Sequence, residues 1–179
     1  MSDEEVANPE IPHPAASGAA PAPDGRILAV GETAPDFELR DQNNQRVSLS
    51  TLGAERQVLI VFFPLAFTGT CQGELGFIRD HYQRFVNDDL STIAISVGPP
   101  PTHKVWSSAQ GFLFPILSDF WPHGEVAARY GAFDAERGFA RRATFLVGAQ
   151  RRIIFSDSVG PGQSREQVHW EQALAAVGS

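Results

Sequence analysis

Cysteine is scarce in this sequence of 179 residues, which contains only Cys71. A single thiol cannot close a disulfide within the chain, so the small secreted scaffolds that disulfides hold together are excluded. It also cannot build a zinc cluster, and no two of the five histidines have the spacing of metal ligands. We therefore predict no metal, and we expect most of the histidines to lie on the surface.

Long apolar runs and positive charge are scarce as well. No apolar run approaches the ~20 residues that span a bilayer, and no basic stretch followed by an apolar one marks a signal peptide. The net charge of −7 argues against nucleic acid or an anionic membrane as a partner, because neither phosphate surface attracts an acidic protein. The glycines form no dinucleotide-binding fingerprint. We expect a cytoplasmic protein without a cofactor and with neither nucleic acid nor a membrane as a partner.

The first 26 residues differ in composition from the rest of the chain. They are rich in proline, alanine and acidic residues, and they contain almost no large apolar side chains. Such a segment cannot bury enough surface to offset the entropy that is lost on ordering. Residues 1–26 are therefore predicted to form a disordered tail, with a partner-docking arm as the alternative, and residues 27–179 to form one folded domain.

Apolar patterning predicts strands that alternate with helices. Residues 58–63 and 91–97 are continuously apolar or nearly so, which is typical of strands buried on both faces of a sheet. Residues 143–147 and 152–156 predict two more strands joined by a turn. From about residue 70 to 86 the apolar spacing changes to three and four, which predicts an α-helix. The order indicates an α/β fold with a central mixed sheet flanked by helices.

Shorter patterns predict three further helices, over residues 102–110, 123–130 and 164–176. Thr102 is a candidate N-cap for the first of them. Ser164 and the glutamine three residues later have the spacing of a capping box for the last one.

The segment with the most informative chemistry lies between the strand of residues 58–63 and the helix that follows it. It contains Pro64, Thr68 and Cys71, at the carboxyl end of a strand, where sites form in open α/β sheets. In the first turn of a helix, unpaired backbone N–H groups and the positive end of the dipole stabilise a thiolate over a thiol. Cys71 is therefore a candidate nucleophile, and a small, inert, buried side chain is the alternative.

The motif Pro64-x-x-x-Thr68-x-x-Cys71 resembles the signature of the peroxiredoxins. Three separated segments are similar, in order and spacing, to the one-cysteine alkyl hydroperoxide reductase E group of actinobacteria: residues 62–75, 96–104 and 117–124. The resemblance extends over residues 28–177. It implies a thioredoxin-like fold with an added N-terminal hairpin, and thiol peroxidase activity.

The resemblance also implies a role for each residue of the motif. Cys71 would attack a peroxide oxygen and become a sulfenic acid. Thr68 would hold the thiolate and the peroxide with its hydroxyl, and Pro64 would shield the sulfur from bulk water. Taken alone, Thr68 is explained as a helix N-cap and Pro64 as a strand terminator.

A distant arginine is implied too, because Arg142 stands in the family pattern Arg-x-Thr/Ser-Phe. Its guanidinium would stabilise the thiolate and the charge on the leaving oxygen. Arg141 is the rival, but neighbours on a strand point to opposite faces, so only one of the two is expected at the site. Glu74, on the helix face of Cys71, is implied as a partner of the arginine; the alternative is an acid that suits the helix N-terminus.

The chain has no second cysteine to resolve a sulfenic acid, so the reductant must come from outside. The sequence supports an external thiol or a glutaredoxin-like protein, and the resemblance implies mycothiol, a mycoredoxin and a homodimer. The expected substrates are hydrogen peroxide and alkyl hydroperoxides, with peroxynitrite as a further candidate. Phe37, Phe67 and Trp121 are expected to form an apolar collar near Cys71.

Two other functions stay open at this point. A thioredoxin-type oxidoreductase needs a Cys-x-x-Cys pair, and the positions of the second cysteine are occupied by Glu74 and Thr68, so only monothiol exchange would remain. A binding or sensor module that has lost turnover is the second alternative. The presence of Pro64, Thr68, Cys71 and Arg142 argues against lost reactivity, although it does not argue against sensing.

Overall fold

The computed structural model describes residues 25–178. The strands along them are β1 (Glu38–Arg40), β2 (Arg46–Ser48), β3 (Gln57–Phe62), β4 (Leu90–Ser96), β5 (Ile116–Ser118), β6 (Phe133–Asp134), β7 (Phe139–Ala140), β8 (Ala143–Val147) and β9 (Ile153–Ser158). The α-helices are α1 (Leu49–Leu52), α2 (Gly69–Asp80), α3 (Tyr82–Phe85), α4 (Pro100–Gln110), α5 (Glu125–Arg129) and α6 (Gln167–Ala175). Over the described range, none of these helices is long and apolar enough to cross a membrane.

Seven strands form the central sheet, in the order β2-β1-β5-β4-β3-β8-β9. β3, β4 and β5 run parallel to one another, whereas β1, β2, β8 and β9 pair in antiparallel fashion. β6 and β7 form a separate two-stranded ribbon. The mixed sheet confirms the predicted fold class, and the hairpin of β1 and β2 at one edge is the N-terminal addition that the resemblance implied.

The apolar residues of β3 alternate between the two faces of the sheet. Val58, Ile60 and Phe62 join one buried cluster, and Leu59 and Val61 join the other. All five side chains are fully buried. A strand covered on both faces needs apolar residues at every position, so the unbroken run in the sequence predicted this strand correctly.

Helices cover both faces of the sheet. Leu49 of α1 and Val126 of α5 lie in the cluster on one face. Leu75 of α2, Trp106 of α4 and Trp170 of α6 lie in the cluster on the other. Burying a large apolar side chain stabilises the fold by about 1.5–3 kcal/mol, so these contacts fix α2, which carries the cysteine, against the sheet.

Two helix boundaries in the middle of the chain differ from the prediction. The helix expected over residues 70–86 is divided into α2 and α3, because the backbone of His81 leaves the helical region at φ −115° and ψ 31°. α4 begins at Pro100, so Thr102 lies within its first turn and is not the N-cap. Proline is tolerated there because the N–H groups of the first turn have no helical partner.

The last helix is shorter than expected. α6 begins at Gln167, and Glu166 occupies the N-cap position in place of Ser164. The backbone N–H of Glu166 donates to Nδ1 of His169 at 2.9 Å. A histidine thus makes the reciprocal contact that the sequence pattern assigned to a glutamine.

The described chain begins beside Gly131, which lies between α5 and β6. The predicted disordered tail falls on residues 1–24, outside the described residues, apart from its last two positions, Gly25 and Arg26. Arg26 forms an ion pair with Glu32, with 2.7 Å between Nη1 and Oε2. Its carbonyl oxygen lies against Gly131, where an added Cβ would come within 1.7 Å of it. These contacts fix the point at which the N-terminal segment leaves the domain.

We predict that Gly131→Ala lowers the free energy of unfolding by about 2–5 kcal/mol. The left-handed backbone at φ 69° costs an alanine about 1–2 kcal/mol, and the clash with the Arg26 carbonyl adds about 1–3 kcal/mol. Gly111→Ala is the matched control, because φ there is 70° and its Cβ would meet nothing closer than 3.8 Å. Urea unfolding compares the two variants. Equal losses would show that the Arg26 contact does not constrain the chain.

Candidate active site

Cys71 occupies the third position of α2, and Thr68 stands at the N-cap position of that helix. The side chain of Cys71 is fully buried, and its thiol is free. β3 ends at Phe62, so the short loop that follows leads from the strand end to the first turn of α2. The first-turn position that the sequence predicted is therefore present, with the positive end of the helix dipole beside the sulfur.

Arg142 reaches the sulfur from the sheet. Its Nη2 lies 3.6 Å from Sγ of Cys71, within hydrogen-bond range of a sulfur atom. The side chain of Arg141 is exposed, and its backbone N–H donates to the carbonyl of Ala132 at 2.6 Å. Of the two rival arginines, Arg142 is the one that contacts the thiol.

Glu74 lies between two guanidinium groups. Its side chain is 2% exposed, and its Oε2 is 3.4 Å from Nε of Arg142 and 2.9 Å from Nη2 of Arg165. The backbone N–H of Arg165 also donates to Oε1 at 2.6 Å. The pairing of Glu74 with Arg142 that the resemblance implied is present, and a second, closer cation is added to it.

Arg165 is the residue of this site that the sequence analysis missed. Its side chain is fully buried, and it donates to three further oxygens: the carbonyls of Ala143 at 3.3 Å and Phe62 at 3.0 Å and the hydroxyl of Thr144 at 3.1 Å. Its guanidinium carbon lies 5.1 Å from the ring centroid of Trp170. One signal pointed to it: a cation just before a helix start faces the positive end of the dipole and needs an anion elsewhere.

Thr68 and Pro64 belong to the loop side of the site. The hydroxyl of Thr68 donates to the carbonyl of Leu65 at 2.9 Å. Phe67, just before it, has φ 62°, a value uncommon for a residue with a side chain. Pro64 is buried directly after β3. To act on the sulfur of Cys71, the Thr68 hydroxyl must therefore rotate away from Leu65.

A cavity of about 260 Å³ adjoins these residues. Pro64, Thr68 and Arg142 line it on the side of the thiol, and Phe139 and Pro161 contribute apolar walls. Sites for drug-sized ligands occupy about 300–1,000 Å³, so this cavity suits a small organic molecule.

The expected collar of Phe37, Phe67 and Trp121 is not formed. Phe37 is 4% exposed and belongs to the core cluster on the face of the sheet opposite Cys71. Trp121 is 72% exposed and does not line the cavity. Phe67 lies in the loop before α2, is 58% exposed, packs against Trp106 and does not line the cavity either.

Among the described residues, His103 is the one histidine that is buried, whereas His81 and His123 are exposed as expected. His103 is fully buried, with Nε2 2.8 Å from the hydroxyl of Ser96. Burial lowers the pKa of His103 to about 4, so the ring is neutral at physiological pH.

Between residues 25 and 178, no group of three or more His, Cys, Asp or Glu side chains is arranged to hold a metal ion.

We predict that Arg165→Met destabilises the fold by about 3–5 kcal/mol, because it leaves Arg142, at 3.4 Å, as the one cation beside the buried carboxylate of Glu74 among the described residues. Arg84→Met is the control: it breaks the ion pair with Glu171, whose side chains are 44% and 43% exposed, at an expected cost of under about 1 kcal/mol. Urea unfolding followed by tryptophan fluorescence measures both. A loss for Arg165→Met no larger than that for Arg84→Met would contradict its structural role.

Known proteins are similar to this chain in sequence and in architecture. Residues 30–156 match the AhpC/TSA family. Alkyl hydroperoxide reductase E of Mycobacterium tuberculosis is 56% identical over 151 residues, which cover 84% of this chain and 99% of that protein. The crystal structure of the peroxidoxin BcpB from M. tuberculosis is 30% identical, with a TM-score of 0.72 over 82% of this chain and 94% of that one. The crystal structure of Enterococcus faecalis AhpC is 26% identical, with a TM-score of 0.74 over 82% and 90%.

These likenesses confirm the thioredoxin-like fold and agree with the resemblance carried by the Pro64–Cys71 motif. The family match covers residues 30–156, which include most of the sheet, α2 and Arg142. These parts of the chain bring the thiol and the guanidinium of Arg142 together. The chain belongs to the AhpC/TSA family of peroxiredoxins, as a member with a single cysteine.

Proposed function

We propose that this chain is a thiol peroxidase whose nucleophile is Cys71. One observation carries the proposal: the Sγ of Cys71 lies in the first turn of α2 with the guanidinium of Arg142 at 3.6 Å. The helix terminus and the cation both favour the thiolate, which is the nucleophilic form of cysteine. Membership of the peroxiredoxin family supports the same reaction class.

In the proposed reaction the thiolate attacks one oxygen of a hydroperoxide. An S–O bond forms while the O–O bond breaks, so the sulfur is oxidised to sulfenic acid and the peroxide is reduced to an alcohol or water after the leaving oxygen takes a proton. Arg142 stabilises the charge on the leaving oxygen. The Thr68 hydroxyl donates to the bound peroxide, and Pro64 keeps water from the sulfur without offering a donor of its own.

Glu74 and Arg165 are proposed as positioning residues. Neither is placed to touch the peroxide, but the Glu74 carboxylate contacts Arg142, and Arg165 contacts Glu74. A long arginine side chain has many rotamers, and fixing it costs free energy. The buried ion pairs hold the Arg142 guanidinium at the sulfur before the substrate arrives, which is the preorganisation that electrostatic catalysis requires.

Reduction of the sulfenic acid is assigned to an external thiol, since the chain has no second cysteine. A first thiol forms a mixed disulfide with Cys71 and releases water; a second thiol, or a glutaredoxin-like protein, then attacks this disulfide and frees Cys71. Mycothiol and a mycoredoxin are the proposed reductants, because the resemblance to the actinobacterial group implies them. A cycle that consumes thiols fits the reducing cytoplasm.

The proposed substrates are hydrogen peroxide and alkyl hydroperoxides, with peroxynitrite as a further candidate. The apolar walls of the cavity, such as Phe139 and Pro161, favour an alkyl group beside the peroxide. We also propose a homodimer, because large apolar side chains stay exposed at Phe67 (58%), Phe120 (51%) and Trp121 (72%), and a second copy of the chain would cover such groups.

The peroxidase proposal is tested by mixing the reduced protein with a small excess of hydroperoxide in a stopped-flow fluorimeter and following the tryptophans. We expect a rapid change in the wild type, no such change in Cys71→Ser, and sulfenic acid on Cys71 by mass spectrometry. No disulfide is added, so monothiol exchange cannot produce the signal. A wild type that reacts no faster than an ordinary free thiol would rule out the enzyme.

A second experiment separates the two neighbouring arginines. Arg142→Gln should lower the rate constant for Cys71 oxidation by about 100- to 1,000-fold, the usual effect of removing a donor that stabilises a developing oxyanion. Arg141→Gln carries the same change of charge one position away and should not lower the rate. Similar losses in both variants would mean that general surface charge, and not contact with the thiol, sets the rate.

A further inference from the structure

We propose that the ribbon of β6 and β7 gives this site a preference for alkyl hydroperoxides over hydrogen peroxide. Phe139 is the specificity-determining residue, whose ring contacts the alkyl group, and His123 is a positioning residue that holds Phe139 in place. The inference rests on the proposed function, because it assigns a role within the cavity beside Cys71. Three features carry it: the two faces of the ribbon, its stiffened turn and its contact with His123.

The two faces of the ribbon have different surroundings. In its register Phe133 is opposite Ala140, and Asp134 is opposite Phe139, and cross-strand partners lie on the same face. Ala140 is buried in a core cluster, and Phe133 packs against that cluster. The other pair, Asp134 and Phe139, lines the cavity. Phe139 is only half-buried, so its ring has apolar surface left to cover with a ligand.

The cavity offers polar contacts to one part of a substrate and apolar contacts to another. Thr68 and Arg142 line it beside the thiol, and its apolar lining includes Phe139, Val159 and Pro161. An alkyl hydroperoxide has the same division, with a polar O–O group at one end and an apolar group at the other. Removing that apolar group from water is favourable in proportion to its area. Hydrogen peroxide has no such group, so contact with Phe139 favours alkyl hydroperoxides alone.

Hydrogen bonds stiffen the turn that joins β6 to β7. Oδ1 of Asp134 accepts from the backbone N–H groups of Glu136 and Arg137, each at 3.1 Å. Its Oδ2 lies 2.8 Å from Nη1 of Arg137. A ribbon of two short strands is only marginally stable in water, so these contacts help to keep its shape. A wall that is ordered before the substrate arrives loses little entropy on binding.

His123 holds the ribbon from outside the cavity. Its Nε2 donates to the carbonyl of Gly138, the residue just before Phe139, at 2.7 Å. Its ring also meets the ring of Phe133 edge-on, with 5.8 Å between the centroids. Packing at the next residue is tight, because a Cβ added to Gly124 would come within 2.2 Å of Phe133. His123 does not line the cavity, so any effect on the substrate must pass through Phe139.

Stopped-flow measurement of Cys71 oxidation by cumene hydroperoxide and by hydrogen peroxide tests the role of Phe139. The two rate constants are compared as a ratio within each variant, so a general loss of reactivity cancels. Phe139→Ala should lower the ratio about tenfold, the lower end of the discrimination that a small apolar difference produces in a pocket, and Phe139→Leu should keep most of it. Leu113→Ala is the control, because Leu113 is 75% exposed and does not line the cavity. An unchanged ratio in Phe139→Ala, or an equal fall in the control, would overturn the proposal.

A pair of variants tests the positioning role of His123. His123→Ala should lower the same ratio about threefold, an effect within the range of one neutral hydrogen bond, and should leave the rate with hydrogen peroxide unchanged. His123→Gln should restore the ratio, because an amide N–H can donate to the Gly138 carbonyl in place of the imidazole. An unchanged ratio in His123→Ala, or a fall that His123→Gln does not rescue, would contradict the positioning role.

A binding measurement separates this inference from the proposed function. Cumyl alcohol, the reduction product of cumene hydroperoxide, is added to the unreactive Cys71→Ser variant and followed by ligand-observed NMR. We expect binding that weakens when Phe139→Ala is added to the same chain. Equal binding with and without Phe139→Ala would overturn the contact, whatever the peroxide rates. A wild type that reacts with neither peroxide would instead refute the proposed function, while the alcohol would still report on the wall of the cavity.

Discussion

The buried carboxylate of Glu74 is the constraint on which the site depends. A carboxylate is tolerated inside a protein when it is paired and hydrogen-bonded, and Glu74 meets this requirement with Arg142 on one side and Arg165 on the other. The position of Arg142, and with it the electrostatic surroundings of Cys71, is therefore set by an ion cluster that the fold must assemble. The cluster contains two cations and one anion, and a thiolate supplies the second anion.

The sheet supports one side of the site more firmly than the other. Arg165 donates to backbone oxygens of β3 and β8, so the ion cluster is attached to two central strands. The opposite side is the loop from Pro64 to Thr68, in which Leu65 and Phe67 are exposed at 40% and 58%. A fixed cationic wall thus faces a more accessible loop, and the cavity lies between them. This arrangement keeps the charges in place while a substrate or reductant approaches.

Local sequence patterns were sufficient where a residue depends on its neighbours along the chain. The apolar run of β3 and the change to helical spacing after it placed Cys71 in the first turn of α2. Arg165 could not be predicted in this way, because its partner Glu74 is 91 positions away and no local pattern encodes the pair. The burial of His103 and the three-residue strand β5 also arise from tertiary contacts, since each depends on β4 lying beside it. The roles given to the site residues remain predictions.

The ion cluster makes the charge of the sulfur part of the stability of the fold. A sulfenic acid is uncharged, so its formation leaves Arg142 and Arg165 with Glu74 as their only anion, in a place where an uncompensated charge is costly. A sulfinic acid is again an anion, and its formation restores the balance. We therefore expect the folded protein to be less stable with Cys71 as a sulfenic acid than with Cys71 as a thiolate or a sulfinate. In the proposed cycle, the ions that favour attack by the thiolate would therefore disfavour its first product.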